Sequence, residues 1–479
     1  MVTEMQAERV KAIKVEFADE AVTAFGGLAV AEQTARRLGL WRDVERTLPK
    51  RGKGFDWLTA VKTMVMGLLT GSQGTYATEP LREDEPLVTM LGVEGAPEEA
   101  TVWRLLGPMG AEELQEGMGG VQRRLARTVV HRVSRKALLM EGFLPIFGDG
   151  TLAEGSGRRE ATKVIEGKGA GLLWTTVFVG PLLAGQRLAG PGEGEQACVR
   201  RILREVVRDV VEPEKLKKRA LVLMDSLHGD EPTVKELEEQ QLWYIVGANK
   251  LKATEKTLSE RPEPEWQEMG PEAARGWAES AVCQCWLQCE GWEKKRVLVG
   301  RRWRREGELI YNYSGVLVNL PAEQVHPIMA RRKMSYAEAI WSLYDRKAGY
   351  ENCYKDFLDD LALHYPPCRE YVRNAGFYSV AALAGLLAKA VQVLAGPFRK
   401  SPAVGSDKAA DSTSVAPTPQ KSRRRAEPRF MRLWRFRRRL LTLPARIAYH
   451  ARTVKITLLG VCDSVRRQFE HYWSACCRC

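Results

Sequence analysis

Large apolar side chains in the first third of the chain recur every three to four positions. Leu28-Ala29-Val30 through Leu38, Leu58 to Leu69 and Leu114 to Val130 each line one helical face, so residues 20 to 131 read as helical. Glu85 to Gly92 and Ala100 to Leu106 fit two short helices about a glycine-containing turn, either a helix-turn-helix or, more simply, part of a bundle. From residue 143 the period changes. Phe143 to Phe147 is an apolar run ending in Gly148-Asp149-Gly150-Thr151, which predicts a strand; Leu172 to Leu183 predicts one long strand or a hairpin turning near Gly180-Pro181. Glu195 to Val211 puts Cys198, Ile202, Leu203, Val206, Val207 and Val210 on one helical face, and Pro213 stops it. Ala220 to Asp225 is then a buried strand ending in a carboxylate. A helix from Thr233 to Gln240 and a strand from Leu242 to Gly247 follow.

The next segment is rich in Trp and charge, with strand-like stretches at Arg296 to Val299 and Glu308 to Leu320. Ser335-Tyr336-Ala337-Glu338 is a capping box that opens a helix running to about Leu363, before Pro366-Pro367. The apolar run Val380 to Gly396 is interrupted by Lys389 and Gln392 and is short for a bilayer, so it reads as a buried helix. These changes divide the chain at 1-135 (helical), 136-250 (alternating strands and helices), 251-334 (mainly β), 335-399 (helical), 400-428 (a Ser/Pro/Ala-rich linker) and 429-479 (basic).

With 479 residues, 44% of them hydrophobic, the chain has material for one large core or two to three domain-sized ones, which excludes collagen-like, coiled-coil and wholly disordered classes. The charged N-terminus lacks the apolar run of a secretory signal, so a cytoplasmic protein with no membrane partner is expected. The formal net charge is +13, and residues 421-479 account for all of it, with 16 Lys and Arg against 3 acids. There Arg435, Arg437, Arg438 and Arg439 alternate with aromatics in Leu433-Trp434-Arg435-Phe436-Arg437-Arg438-Arg439. Such a pattern suits a phosphate backbone, with a solvated cationic face or a membrane-surface helix as alternatives. The ten cysteines fit a reducing compartment. Cys283, Cys285 and Cys289, and Cys476, Cys477 and Cys479 with His471, lack paired zinc-site spacing and read as ordinary thiols.

Asp149 and Asp225 are the chemical landmarks. In an α/β sheet, carboxylates at the ends of neighbouring strands point into one crevice. Taken singly, Asp149-Gly150 is an ordinary turn and Asp225-Ser226 an ordinary cap. On the helix after Ser335, Ile340, Tyr344, Lys347, Glu351, Tyr354, Leu358 and Leu361 form one stripe, with Lys347 and Glu351 interrupting an apolar face. Charges on a core-facing stripe cost free energy unless they are paired or bound.

The order of elements is a strand with Asp149, a hairpin, a helix, a strand with Asp225, a helix, a strand, a long insertion and a helix with Glu351. It resembles the ribonuclease H-like core of DDE transposases from bacterial insertion sequences. The last helix is most similar to that of the group-1 DDE-domain transposases, which carry Tyr-x2-Arg-x3-Glu-x6-Lys. Tyr344 and Glu351 match; Lys347 stands at the Arg position with Arg346 beside it, and Leu358 at the final Lys position with Lys355 just before. Asp149-Gly150-Thr151, Asp225 to Asp230, and Leu443-Pro444-Ala445-Arg446-Ile447 with His450 and Arg452 also look like blocks of that family. The likeness covers roughly residues 20-395 and 429-460.

The resemblance implies an α/β fold, a ribonuclease H-like mixed sheet flanked by helices. It places an N-terminal helical, DNA-binding region before that core and a mainly β insertion ahead of the third acid. It implies two Mg2+ ions, with Mn2+ substituting, held by Asp149, Asp225 and Glu351, and phosphates positioned by Tyr344, Arg346, Lys347 and Lys355. Trp303, between Arg302 and Arg304, either stacks on an unpaired base or anchors a strand, the simpler role. His228, three residues past Asp225, fits a supporting position beside the acids or an ordinary buried loop. The implied activity is binding of terminal inverted repeats, then cleavage and transfer of double-stranded DNA ends into a target by a homodimer at the bacterial nucleoid. The rival expectations are an inactive, transposase-derived DNA-binding protein and a ribonuclease H-like nuclease that does not join.

Overall fold

The computed structural model describes residues 20-154, 159-165, 169-249, 251-270, 277-398, 430-450 and 453-478, without the side chains of Lys136, Glu154, Tyr350, Glu351 and Asn352. The expected linker at 400-428, Arg452 and Cys479 lie outside the described residues.

After a two-residue strand, β1 (Val22–Thr23), the helical period of the first third is realised as α1 (Leu28–Arg37), α2 (Leu40–Thr47), α3 (Trp57–Thr70), α4 (Glu85–Leu91), α5 (Glu99–Met109) and α6 (Glu112–Arg132). Local chemistry sets the ends of α3. Asp56 accepts the Thr59 N–H at 2.7 Å at one end, and Gly71 takes a left-handed φ of 114° at the other.

A ten-stranded mixed sheet follows. Its first strands are β2 (Leu144–Glu154), β3 (Lys163–Ile165), β4 (Gly169–Val179) and β5 (Leu182–Leu188). The segment from 172 is a hairpin, with β4 and β5 antiparallel about Gly180-Pro181. Helix α7 (Glu195–Val206) crosses to β6 (Ala220–Met224), and α8 (Glu231–Glu239) crosses to β7 (Trp243–Gly247); β2, β6 and β7 are parallel neighbours. Beyond β7 come α9 (Lys252–Ser259), β8 (Gln267–Glu268), β9 (Glu279–Leu287), β10 (Arg296–Arg304) and β11 (Asn312–Val318). The segment expected to be mainly β carries four strands, and they prolong the central sheet. β11 pairs antiparallel with β7, and the order runs β3-β4-β2-β6-β7-β11-β10-β9-β8, with β5 on the outer edge of β4.

Helix α10 (Ala322–Arg332) precedes the capping box, which forms as expected, with Ser335 and Glu338 bonding each other's backbone N–H. The single helix expected from Ser335 to Leu363 is two helices, α11 (Tyr336–Tyr344) and α12 (Lys347–Leu358). The joint residues are held by different partners. Asp345 pairs with buried Arg301 at 3.3 Å, and Arg346 pairs with Glu141. The stripe is thereby split, with Ile340 and Tyr344 before the break and Lys347, Glu351, Tyr354 and Leu358 after it.

Helix α13 (Tyr371–Ala395) is long and apolar enough to cross a membrane by length and composition, yet 94% of its most apolar window is buried inside this protein. Lys389, which broke the apolar run in sequence, is 5% exposed and reaches Asp356 at 2.7 Å. The other Asp356 oxygen accepts from Arg432 Nε at 2.9 Å and Leu433 N at 3.0 Å. The basic C-terminal segment is therefore tied into the core. It continues as β12 (Ala445–His450), β13 (Thr453–Leu458) and α14 (Asp463–Arg478), with β12 pairing β1. Gly27 marks how closely this segment docks, since a Cβ there would fall 1.6 Å from the Leu440 carbonyl oxygen. Replacing Asp356 by Ala leaves Lys389 buried and unpaired and takes one of three carboxylates from Arg432, which keeps Asp359 and Asp360, and is expected to lower unfolding free energy by about 3–5 kcal/mol, read by chemical denaturation.

Candidate metal centre

β2 outlasts its neighbour. Its pairing with β6 ends at Phe147↔Leu223, while its pairing with β4 continues to Glu154↔Gly171. Asp149 therefore sits within the strand rather than at its end, because β4 extends the ladder past the expected turn. Asp149 lies two residues past the last β2–β6 pair and near enough to Asp225, at the carboxyl end of β6, for the charge of Asp225 to act on it. Asp225 caps the 3-10 turn Ser226–His228, its Oδ1 accepting the Leu227 N–H at 3.0 Å.

Two residues outside the expected triad complete this corner. Glu195 opens α7, is 6% exposed, and shares the Gly150 N–H with Asp149, at 3.0 Å and 2.9 Å. His228 is fully buried, with Nε2 3.2 Å from Glu195 Oε1 and 4.0 Å from Asp225 Oδ1. Single ligand atoms of Asp149, Glu195 and His228 lie within 4.8 Å of one another, the one such group among the described residues. Burial pushes the Asp149 carboxyl up to about 6 against the pull of Lys347, and the charges of Asp225 and Glu195 push it the same way. Gly150 is required by this packing, because a Cβ there would lie 2.4 Å from the Glu195 carboxyl carbon. Gly150→Ala is expected to displace that carboxylate and, for an ion held by this group, to weaken binding by about tenfold or more, measured by calorimetric titration.

Helix α12 crosses this corner. Thr176, paired with Asp149 across β2 and β4, donates its hydroxyl to Tyr354 Oη at 2.8 Å. Lys347 lies near enough for its charge to act on Asp149. Position 351 falls on the same helical stripe, between Lys347 and Tyr354; its side chain is outside the described residues. Tyr344, at the end of α11, is held above its ordinary range by burial and by the charge of Asp225.

The comparisons with known proteins are sparse. No family model matches the chain, and no curated protein does. Among solved structures it is similar to a piggyBac transposase, determined by cryo-electron microscopy as a synaptic complex with hairpin DNA. Identity is 10%, coverage 77% of this chain and 76% of that one, and the TM-score 0.37. Similarity at that level gives no residue of this chain a role.

The remaining expected contacts are placed as follows. Arg346 shares the Glu141 carboxylate with Arg331 and Arg332, and Lys355 is exposed on α12. Trp303 stacks on Trp277 with ring centroids 5.2 Å apart; Arg302 is 7% exposed, paired with Glu263 at 2.7 Å and packed over Trp266, and Arg304 pairs with Glu279. In this cluster each arginine is paired within the protein, Arg302 from a buried position and Arg304 at the surface. Arg437 also turns inward, donating to the Leu68, Leu69 and Asp360 carbonyls, while Arg435, Arg438 and Arg439 are exposed. Glu195 carries no distinguishing sequence signal, because an acid in the first turn of a helix is a common dipole partner.

Proposed function

We propose that this protein is a DDE-type DNA transposase that binds the terminal inverted repeats of an insertion sequence and cleaves and transfers DNA strands at Asp149, Asp225 and Glu351. The observation that carries the reading is the meeting of Asp149, within β2, Asp225, at the end of the parallel neighbour β6, and α12. A ribonuclease H-like core is the fold this reading assigns to the mixed sheet.

The residues fit a divalent cation. Asp149, Asp225 and Glu195 place like charges close together in a half-buried corner, an arrangement that a cation relieves. Asp149, Asp225 and Glu351 would hold two Mg2+ or Mn2+ ions, which when bound supply Lewis acidity to a phosphodiester and acidify water or a DNA 3'-hydroxyl. Lys347 brings a cation to the phosphate beside Asp149. The Tyr344 hydroxyl stays protonated and donates to a phosphate oxygen, and exposed Lys355 extends the same track. Arg346, on Glu141, steadies the joint between α11 and α12. Arg435, Arg438 and Arg439 line a surface for the duplex backbone, and a homodimer brings two ends together.

The test is cleavage of labelled DNA carrying the gene's own flanking sequence, with Mg2+, Mn2+ or EDTA. Discrete metal-dependent cuts followed by joining into a target plasmid are expected. Tight binding without cutting would mark an inactive DNA-binding relative. Cuts only in branched or hybrid substrates, never joined, would mark a nuclease. The triple change Arg435→Gln, Arg438→Gln, Arg439→Gln is expected to reduce the slope of log affinity against log salt by about 2 to 3, since each lost phosphate contact removes nearly one unit.

A further inference from the structure

We propose that Glu195 and His228 join Asp149 in a mixed oxygen-and-nitrogen position for a transition-metal ion, one that accepts imidazole, so that this centre prefers Mn2+ to Mg2+. The inference rests on the reading of Asp149 as a metal ligand, and it adds two ligands that the DDE pattern does not contain.

His228 carries the argument. It is fully buried, and among the described residues neither ring nitrogen has a hydrogen-bond partner; the 3.2 Å approach of Nε2 to Glu195 Oε1 lacks hydrogen-bond geometry. Leaving a buried polar atom without a partner forfeits the hydrogen bonds it made to water, so such a nitrogen is normally lost to selection or used. Nε2 faces the carboxylates. Ligands bound at about 2.1 Å to one ion lie at most roughly 4.2 Å apart, so a set of atoms within 4.8 Å closes around an ion with shifts of a few tenths of an ångström.

The three ligands come from separate elements, which makes the site a product of the fold. Asp149 comes from β2, Glu195 from the first turn of α7, and His228 from the turn after β6. Gly150 carries no side chain where the Glu195 carboxylate lies, and its N–H orients both acids. The ligand chemistry then ranks the ions. Oxygen-only sites suit Mg2+, whereas imidazole favours first-row transition ions, and Mn2+ accepts both kinds.

The test uses the full chain without DNA. Mn2+ binding is followed by electron paramagnetic resonance with Mg2+ as competitor, and electron spin-echo modulation reports nitrogen bound to the ion. Wild type is expected to show coupling to one 14N. His228→Gln should lose that coupling and bind Mn2+ about tenfold or more weakly, while its Mg2+ affinity changes less than about threefold. Mn2+ bound without nitrogen coupling, or His228→Gln binding as wild type does, overturns the proposal. Where His228→Gln fails to fold, Glu195→Gln carries the test, and undiminished Mn2+ affinity there overturns it. Nitrogen-coupled Mn2+ in a protein that cuts no DNA would remove the transposase reading and leave this site standing. Uncoupled Mn2+ lost in Asp225→Asn would do the reverse, and no Mn2+ binding would remove both.

Discussion

On the proposed transposase reading, replacing Asp225 by Asn is expected to reduce metal-dependent strand cleavage by at least about 10³-fold while leaving the fold intact, because in that reading the change removes a charge that holds the metal and little else. Asp225 follows the last residue of β6, and its side chain is 37% exposed. Its hydrogen bond to the Leu227 N–H survives, since the amide oxygen of Asn accepts as the carboxylate does. Stability in EDTA should therefore move by less than about 1 kcal/mol, as is usual for a partly exposed substitution that keeps its hydrogen bond. The measurement is single-turnover cleavage of labelled end DNA, with a denaturant melt on the same preparation. Cleavage within about tenfold of wild type would remove Asp225 from the centre. Loss of cleavage together with loss of the fold would be separated by the melt.

The elements most legible in the sequence are those whose cause is local. The capping box at Ser335, the hairpin at Gly180-Pro181 and the buried α13 follow from short-range chemistry and period. Lys389 read only as an interruption of the apolar run, because its partner Asp356 lies 33 residues away on α12. The failures have long-range causes. Asp149 looked like a turn residue because nothing in its own segment shows that β4 carries the ladder on to Glu154. The break at Asp345 and Arg346 depends on Arg301 and Glu141, 44 and 205 residues away. Trp303 offered an aromatic among arginines, and only the packing shows those groups facing Trp277, Glu263 and Glu279. Within the candidate centre, Asp149 and Asp225 were marked by their strands and His228 by its nearness to Asp225. Glu195 stayed hidden, since its partners Gly150 and His228 come from β2 and the turn after β6.

Asp149→Asn should stabilise the metal-free protein at pH 8, an effect opposite in sign to its effect on metal binding. The Asp149 carboxyl titrates near 6 in the fold against 3.8 for the ordinary group, because burial disfavours its charged form. A folded-state value above the unfolded one means that folding is not penalised below about pH 4, where both states hold the proton. As pH rises past 4 the unfolded chain releases the proton first, and by pH 7 to 8 the penalty approaches about 3 kcal/mol, each tenfold difference in proton affinity between the two states being worth about 1.4 kcal/mol. Asn carries no such charge and still accepts the Gly150 N–H. In EDTA the variant should thus gain up to about 3 kcal/mol at pH 8 and nothing at pH 4, measured by denaturant unfolding at both values. Saturating Mn2+ should reverse the order at pH 8, because ligand binding to the folded state stabilises wild type by RT ln(1 + [L]/Kd) and leaves the variant nearly untouched. A variant less stable than wild type in EDTA at pH 8 would show that burial and neighbouring charge do not hold Asp149 in a costly state. A shift of both proteins by the same amount on adding Mn2+ would show that the ion binds elsewhere. The reversal itself is the mark of a carboxylate retained for binding a cation, since packing alone favours its removal.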